Sequence, residues 1–98
     1  MIAIYTTPVF DAWFAALLDR QAKVRIQARI DRLEHGNPGD CKPVSAGVAE
    51  MRIDYGPGYR VYFIRRGLEV VILLAGGDKS TQTRDIKAAL RLAKEWEQ

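Results

Sequence analysis

The sequence is short of the residues that most enzymes rely on. Its 98 residues include one cysteine, Cys41, and one histidine, His35. A lone cysteine cannot form an internal disulfide, which fits a reducing cytoplasm. There is no Cys/His metal spacing, no phosphate-binding loop and no dinucleotide fingerprint, so neither a metal nor a cofactor is expected. One histidine gives little basis for a Ser-His-Asp or Cys-His arrangement. His35 falls at a predicted helix C-terminus, where a charged imidazole complements the helix dipole. Any acid–base work would therefore fall to Lys, Arg, Tyr or a carboxylate. No apolar run approaches the length of a membrane span. The start, Met1 to Tyr5, lacks the basic segment and apolar core of a signal peptide. A cytoplasmic protein without a membrane partner is expected. No repeat, linker or low-complexity stretch interrupts the chain.

What is present is a globular balance: 48% hydrophobic and 28% charged residues, enough for one domain over residues 1–98 with a modest core. The net charge is +3, with a pI near 9.2. That permits an RNA or phosphate partner without demanding one. Arginine dominates the basic set, which favours forked contacts to phosphate or carboxylate.

Read in order, Ile2 to Tyr5 forms a short strand. Thr7 caps a helix with Pro8 at its first position, and Phe10, Trp13, Phe14, Leu17 and Leu18 share one face. Asp19-Arg20 makes a corner. Ala22, Ile26, Ile30 and Leu33 stripe a second helix, which Gly36 ends. Arg25, Arg29 and Arg32 lie off that stripe and read as a solvated face. Asn37 to Asp40 is a loop, and Lys42-Pro43-Val44 continues it as extended chain. Leu68 to Ala75 is a strand whose run Val70 to Leu74 implies cover on both faces. Ser80 or Thr81 caps a last helix with Ile86, Ala89, Leu90, Ala93 and Trp96 as its stripe. The order is β-α-α-β-β-β-α, an α+β fold. It pairs an antiparallel meander with two early helices on its apolar face; the last helix either crosses the sheet or projects from it.

The centre of this plan is Glu50 to Phe63, two strands around Gly56-Pro57-Gly58. Met51, Ile53, Val61 and Phe63 alternate with polar residues, the period of a half-buried hairpin. If these apolar residues share a face, Arg52 and Arg60 share the other, with Arg52 opposite Arg60 or Tyr62. Two guanidiniums and a phenol on an open face make a cationic, phosphate-sized surface. Lys79, just beyond the next strand, reaches the same region. Such a cluster suits RNA cleavage, because RNA carries its own nucleophile and needs only alignment, charge neutralisation and proton transfer. Tyr62 would stack on a base or hydrogen-bond to the RNA backbone. The competing reading pairs Arg52 and Arg60 with Glu50 and Asp54 across the hairpin.

Lys42-Pro43-Val44, the run Gly47 to Tyr62, and Gly76-Gly77-Asp78-Lys79-Ser80-Thr81-Gln82 together resemble the RelE/ParE toxin superfamily. The resemblance is narrower to its phage-derived Gp49-like, HigB-type addiction-module-killer branch, and it spans nearly the whole chain. It implies a RelE-like fold and the toxin of a type II toxin–antitoxin pair: a ribosome-dependent, metal-independent mRNA endoribonuclease that inhibits translation. By resemblance Arg60 matches the family arginine at the scissile phosphate, Arg52 a basic position on the preceding strand, and Lys79 the basic segment before the last helix. Tyr62, Lys42 and Tyr59 are the expected RNA contacts. The catalytic histidines of some HigB-type members and the C-terminal tyrosine of some RelE enzymes have no counterpart. The implied partners are the ribosome, mRNA and a helix-turn-helix antitoxin from a neighbouring gene, with DNA met only through the antitoxin complex. A ParE-like gyrase poison and a non-catalytic docking module share the fold. On the last helix Leu90, Leu92 and Trp96 cannot all face one side, which predicts an exposed apolar patch for the antitoxin.

Overall fold

A computed structural model describes residues 1–96. The elements are β1 (Ala3–Thr6), α1 (Pro8–Ala16), α2 (Arg20–Glu34), β2 (Cys41–Ser45), β3 (Val48–Ile53), β4 (Tyr59–Arg66), β5 (Val70–Asp78), a short 3₁₀ turn (Lys79–Thr81) and α3 (Gln82–Glu95). They build one five-stranded sheet in the order β1-β5-β4-β3-β2. The expected α+β plan is present and is compatible with a RelE-like fold. One strand is gained: the extended Lys42-Pro43-Val44 pairs antiparallel with β3 as an edge strand. Proline is tolerated there because an edge strand has one row of amides without a ladder partner.

Local chemistry starts α1 and α2 as expected, but α1 ends at Ala16, and Leu18, expected on its apolar face, is exposed. The Thr7 hydroxyl accepts from the Phe10 amide at 3.1 Å, with Pro8 at the first helical position. That hydroxyl also donates to the Leu74 carbonyl at 2.6 Å, which pins α1 to β5. Asp19 caps α2 by accepting from Gln21 and Ala22. Gly36 follows α2 with φ +87°, a left-handed turn that costs glycine little. The last helix departs from expectation. Neither Ser80 nor Thr81 caps α3 with its side chain; Asp78 instead caps the 3₁₀ turn by accepting from the Ser80 amide at 2.8 Å.

β1 runs parallel to β5, while β5, β4, β3 and β2 form an antiparallel meander. A bulge in β5 sets Tyr62 opposite Ala75 and Phe63 opposite Leu73, leaving Leu74 as the extra residue. Both sheet faces are covered. Met51, Ile53, Val61, Phe63, Val71 and Leu73 pack against Phe10 of α1 and Ala22, Ile26, Ile30 and Leu33 of α2. Val48, Tyr62, Ile64, Ile72, Leu74 and Ala75 pack against Ala89, Leu92 and Ala93 of α3. The last helix thus crosses the sheet and closes the face that was expected to be open.

The adjacent glycines of β5 explain how both layers come so close. A Cβ on Gly76 would collide with the Trp13 ring. A Cβ on Gly77 would collide with the Asp85 carboxylate and the Thr81 hydroxyl. Successive residues of a strand point to opposite faces, so one glycine admits α1 and the next admits α3.

Candidate functional site

The hairpin register brings the arginines together as one of the two expected alignments had it: Arg52 lies directly opposite Arg60. The Asp54 to Gly58 loop closes one end of the sheet, and Lys79 leaves β5 beside it. Its methylenes run over Gly58, 3.5 Å from where a Cβ would stand. Gly58 has φ +81°, so it is the turn that calls for glycine there. The result is a polar cleft of about 430 Å³ lined by Arg52, Arg60, Lys79, Asp40, Asp54 and the Gly-Pro-Gly turn. All three candidate catalytic residues meet here.

Each cation is held differently. Lys79 is exposed and has no ion-pair partner among the described residues. Arg52 is half-buried and donates from Nη2 and Nε to Asp40 Oδ1, at 2.8 and 3.3 Å. That hydrogen bond holds the Asp40 carboxyl below the ordinary range. Arg60 is only 9% exposed. Its Nε lies 3.5 Å from Glu50 Oε2 without hydrogen-bond geometry, and its Nη1 donates to the Tyr59 and Gly58 carbonyls. The competing reading of the arginines is therefore met for the Arg60–Glu50 pair, whereas Arg52 pairs with Asp40 and not with Asp54.

Glu50 is buried as well, and its Oε2 accepts from Gln82 Nε2 of α3 at 3.3 Å. Asp85, also buried, accepts from the Thr81 hydroxyl. Under the N-terminal end of α3 there is thus a polar layer of Glu50, Arg60, Gln82, Thr81 and Asp85. Arg60 sits at its border with the cleft.

The remaining expectations are revised. Tyr62 is completely buried beneath α3 and offers no face to a base; its hydroxyl has no hydrogen-bond partner. Burial, then the nearby Glu50 charge, pushes its pKa up to about 12. Tyr59 points to the opposite face, buried edge-on against Trp13 at 6.3 Å, with its pKa raised by burial. Lys42 is exposed on β2 opposite Glu50, and it lines a separate, mainly apolar groove along that edge. On α3, Leu92 is 8% exposed and Leu90 half-buried, both packed in the core under the helix. Of the expected patch only Trp96 is open, at 39%, with its ring 6.4 Å from that of Tyr5. The helix turns so that Asp85, Ala89, Leu92 and Ala93 face the sheet, which removes Leu92 from any partner surface.

Asp40 is the site residue that sequence reasoning missed. It lies 12 residues from Arg52. Its placement depends on the β2–β3 register, including the bond from the Arg52 amide to the Asp40 carbonyl at 2.9 Å. Nothing local in the sequence signals that pairing. Glu50, by contrast, was visible as a polar residue of the alternating strand.

Among the described residues no group of His, Cys, Asp and Glu is arranged to hold a metal, and no helix is long and apolar enough to cross a membrane. Three cations converge from β3, β4 and the start of the 3₁₀ turn on a solvent-open cleft. Such an arrangement can bind a phosphate and stabilise charge that builds on it.

Comparison with known proteins bears out the Gp49-like part of the resemblance. The chain is 54% identical over 94 residues to an uncharacterized protein of Haemophilus influenzae, a match covering 96% of this chain and 95% of that one. The family described as "Phage derived protein Gp49-like" matches residues 12–96, which includes the hairpin, the Gly-Gly segment and every cation of the cleft. The chain belongs to the phage-derived Gp49-like protein family.

Proposed function

We propose that this protein is the toxin of a type II toxin–antitoxin pair and that it cleaves mRNA on the ribosome without a metal. The observation that carries the reading is the convergence of Arg52, Arg60 and Lys79 on one cleft. Membership of the Gp49-like family supports a toxin with an antitoxin partner. In the proposed reaction the RNA 2′-oxygen bonds to the adjacent phosphorus. The bond to the next nucleotide's 5′-oxygen breaks, and a cyclic phosphate remains. One proton leaves the 2′-hydroxyl and one reaches the departing 5′-oxygen. Lys79 and Arg52 neutralise the phosphate oxygens, and Arg60 supports them from the cleft wall. Asp54, at the rim and without an ion pair among the described residues, is the carboxylate placed to move a proton.

A second reading, a gyrase poison of the same superfamily, is favoured by the pairing of both arginines with carboxylates. This leaves Lys79 as the cleft's one free cation among the described residues. Mapping mRNA ends after brief expression separates the two. Cuts within codons of translated messages are expected, falling about a hundredfold in Lys79→Ala and in Arg52→Ala. DNA breaks with intact messages would assign the gyrase activity instead. Single-turnover cleavage on pre-bound ribosomes tests Lys79 further: unchanged cleavage there would remove it from the catalytic set.

A further inference from the structure

We propose that Asp40 is a built-in counter-ion of the cleft, occupying the edge of Arg52 that an incoming phosphate needs and swinging away when a ligand arrives. The inference rests on the phosphate-binding reading above. Asp40 Oδ1 accepts from both Nε and Nη2 of Arg52. That is the guanidinium edge that presents two parallel N–H groups to a phosphate. While Asp40 holds it, a ligand meets only the remaining N–H groups of the guanidinium.

The backbone around this pair is fastened and the side chain is not. The Arg52 amide donates to the Asp40 carbonyl at 2.9 Å. Arg29 of α2 ties the same segment down, donating from Nη2 to the Pro38 and Asp40 carbonyls at 3.0 and 3.3 Å and from Nη1 to the Arg52 carbonyl. Gly39, with φ +68°, lets the loop pass over that guanidinium, because a Cβ there would strike it. The carboxylate itself is 55% exposed. Rotation about its own side-chain bonds releases Arg52 into the cleft and Asp40 into water, with no loop movement. Asp40 also stays ionised well below neutral pH, since Arg52 keeps its carboxyl in the charged form.

Titration of the full-length chain with a 2′-O-methyl RNA trinucleotide, which cannot be cleaved through its blocked 2′-oxygen, tests the guard. Asp40→Asn is compared with Asp54→Asn, which removes the same unit charge from the same cleft. Asp40→Asn is expected to bind about two- to fivefold more tightly than Asp54→Asn, the range of one exposed ion pair. In an Arg52→Gln background this advantage should vanish. Equal affinities of the two asparagine variants, or an advantage that persists without Arg52, would overturn the guard while leaving the phosphate-binding reading intact. No binding by the wild-type chain or any variant would overturn both. Thermal denaturation of each variant confirms that an affinity difference is not a loss of fold.

Discussion

The two faces of the sheet are closed by helices in opposite ways. Under α1 and α2 the interior is apolar, with Met51, Ile53, Val61 and Phe63 facing Ile26, Ile30 and Leu33. Under α3 the far end is equally apolar, but the near end buries Glu50, Arg60 and Asp85. Burying charge is costly unless partners and hydrogen bonds are supplied, so the α3 face gives up stability that the other face keeps. What it gains is a fixed arginine at the border of the cleft. The first face holds the fold, and the second sets the direction of a cation.

Substitutions on the two faces sharpen this contrast. The largest effect is expected for Val61→Asp, which places an unpaired charge in the fully apolar layer. A loss above about 4 kcal/mol and an insoluble product are expected; a soluble, cooperatively folded variant would refute the account of that face. Next comes Arg60→Ala, which strands Glu50 as a buried carboxylate. About 3 kcal/mol should be lost in denaturant titration, so this variant is not a clean probe of function. Glu50→Gln in the same background should recover part of the loss.

Gly76→Ala should cost about 1–3 kcal/mol by overpacking. It meets a Trp13 ring wedged against Phe10 and Tyr59. Gly77→Ala meets the Asp85 carboxylate and the Thr81 hydroxyl, and its cost should come with loss of the Thr81–Asp85 bond.

The smallest effect is expected for Tyr62→Phe. The hydroxyl is buried without a partner, so its removal should leave stability unchanged or raise it by up to about 1 kcal/mol. The same residue predicts an alkaline limit. Its folded pKa, about 12, stands above the ordinary tyrosine value of 10.0. The folded state therefore retains a proton that the unfolded state loses, and stability falls as pH rises through that interval. Tyr62→Phe should flatten the fall; a profile unchanged by the substitution would assign alkaline unfolding to other groups.

Much of this was legible in the sequence because the signals are local. Thr7-Pro8 and Gly36 marked helix ends, and the period-two pattern around Gly56-Pro57-Gly58 placed Arg52 and Arg60 on one face. What stayed hidden were relations between distant segments. Polar residues in alternation read as facing solvent, yet Glu50 and Arg60 lie buried as an ion pair under α3. The apolar residues of the last helix allowed more than one phase, and packing selected the one that buries Leu92. The partner of Arg52 is Asp40, the residue just before β2, in a segment that read only as a loop.

The parallel pairing of β1 with β5 bears on how the protein is made. Ala3 to Thr6 find their partners in Val70 to Leu73, nearly seventy positions downstream, and Thr7 anchors to Leu74. Contacts so distant form late, after the entropy of closing the intervening loop has been met. During synthesis the first strand must wait, unpaired, until the last strand has emerged. Lys79 follows that strand directly, so the cleft is completed only as the sheet closes. A nascent chain therefore lacks the assembled cleft until β5 and Lys79 have been translated.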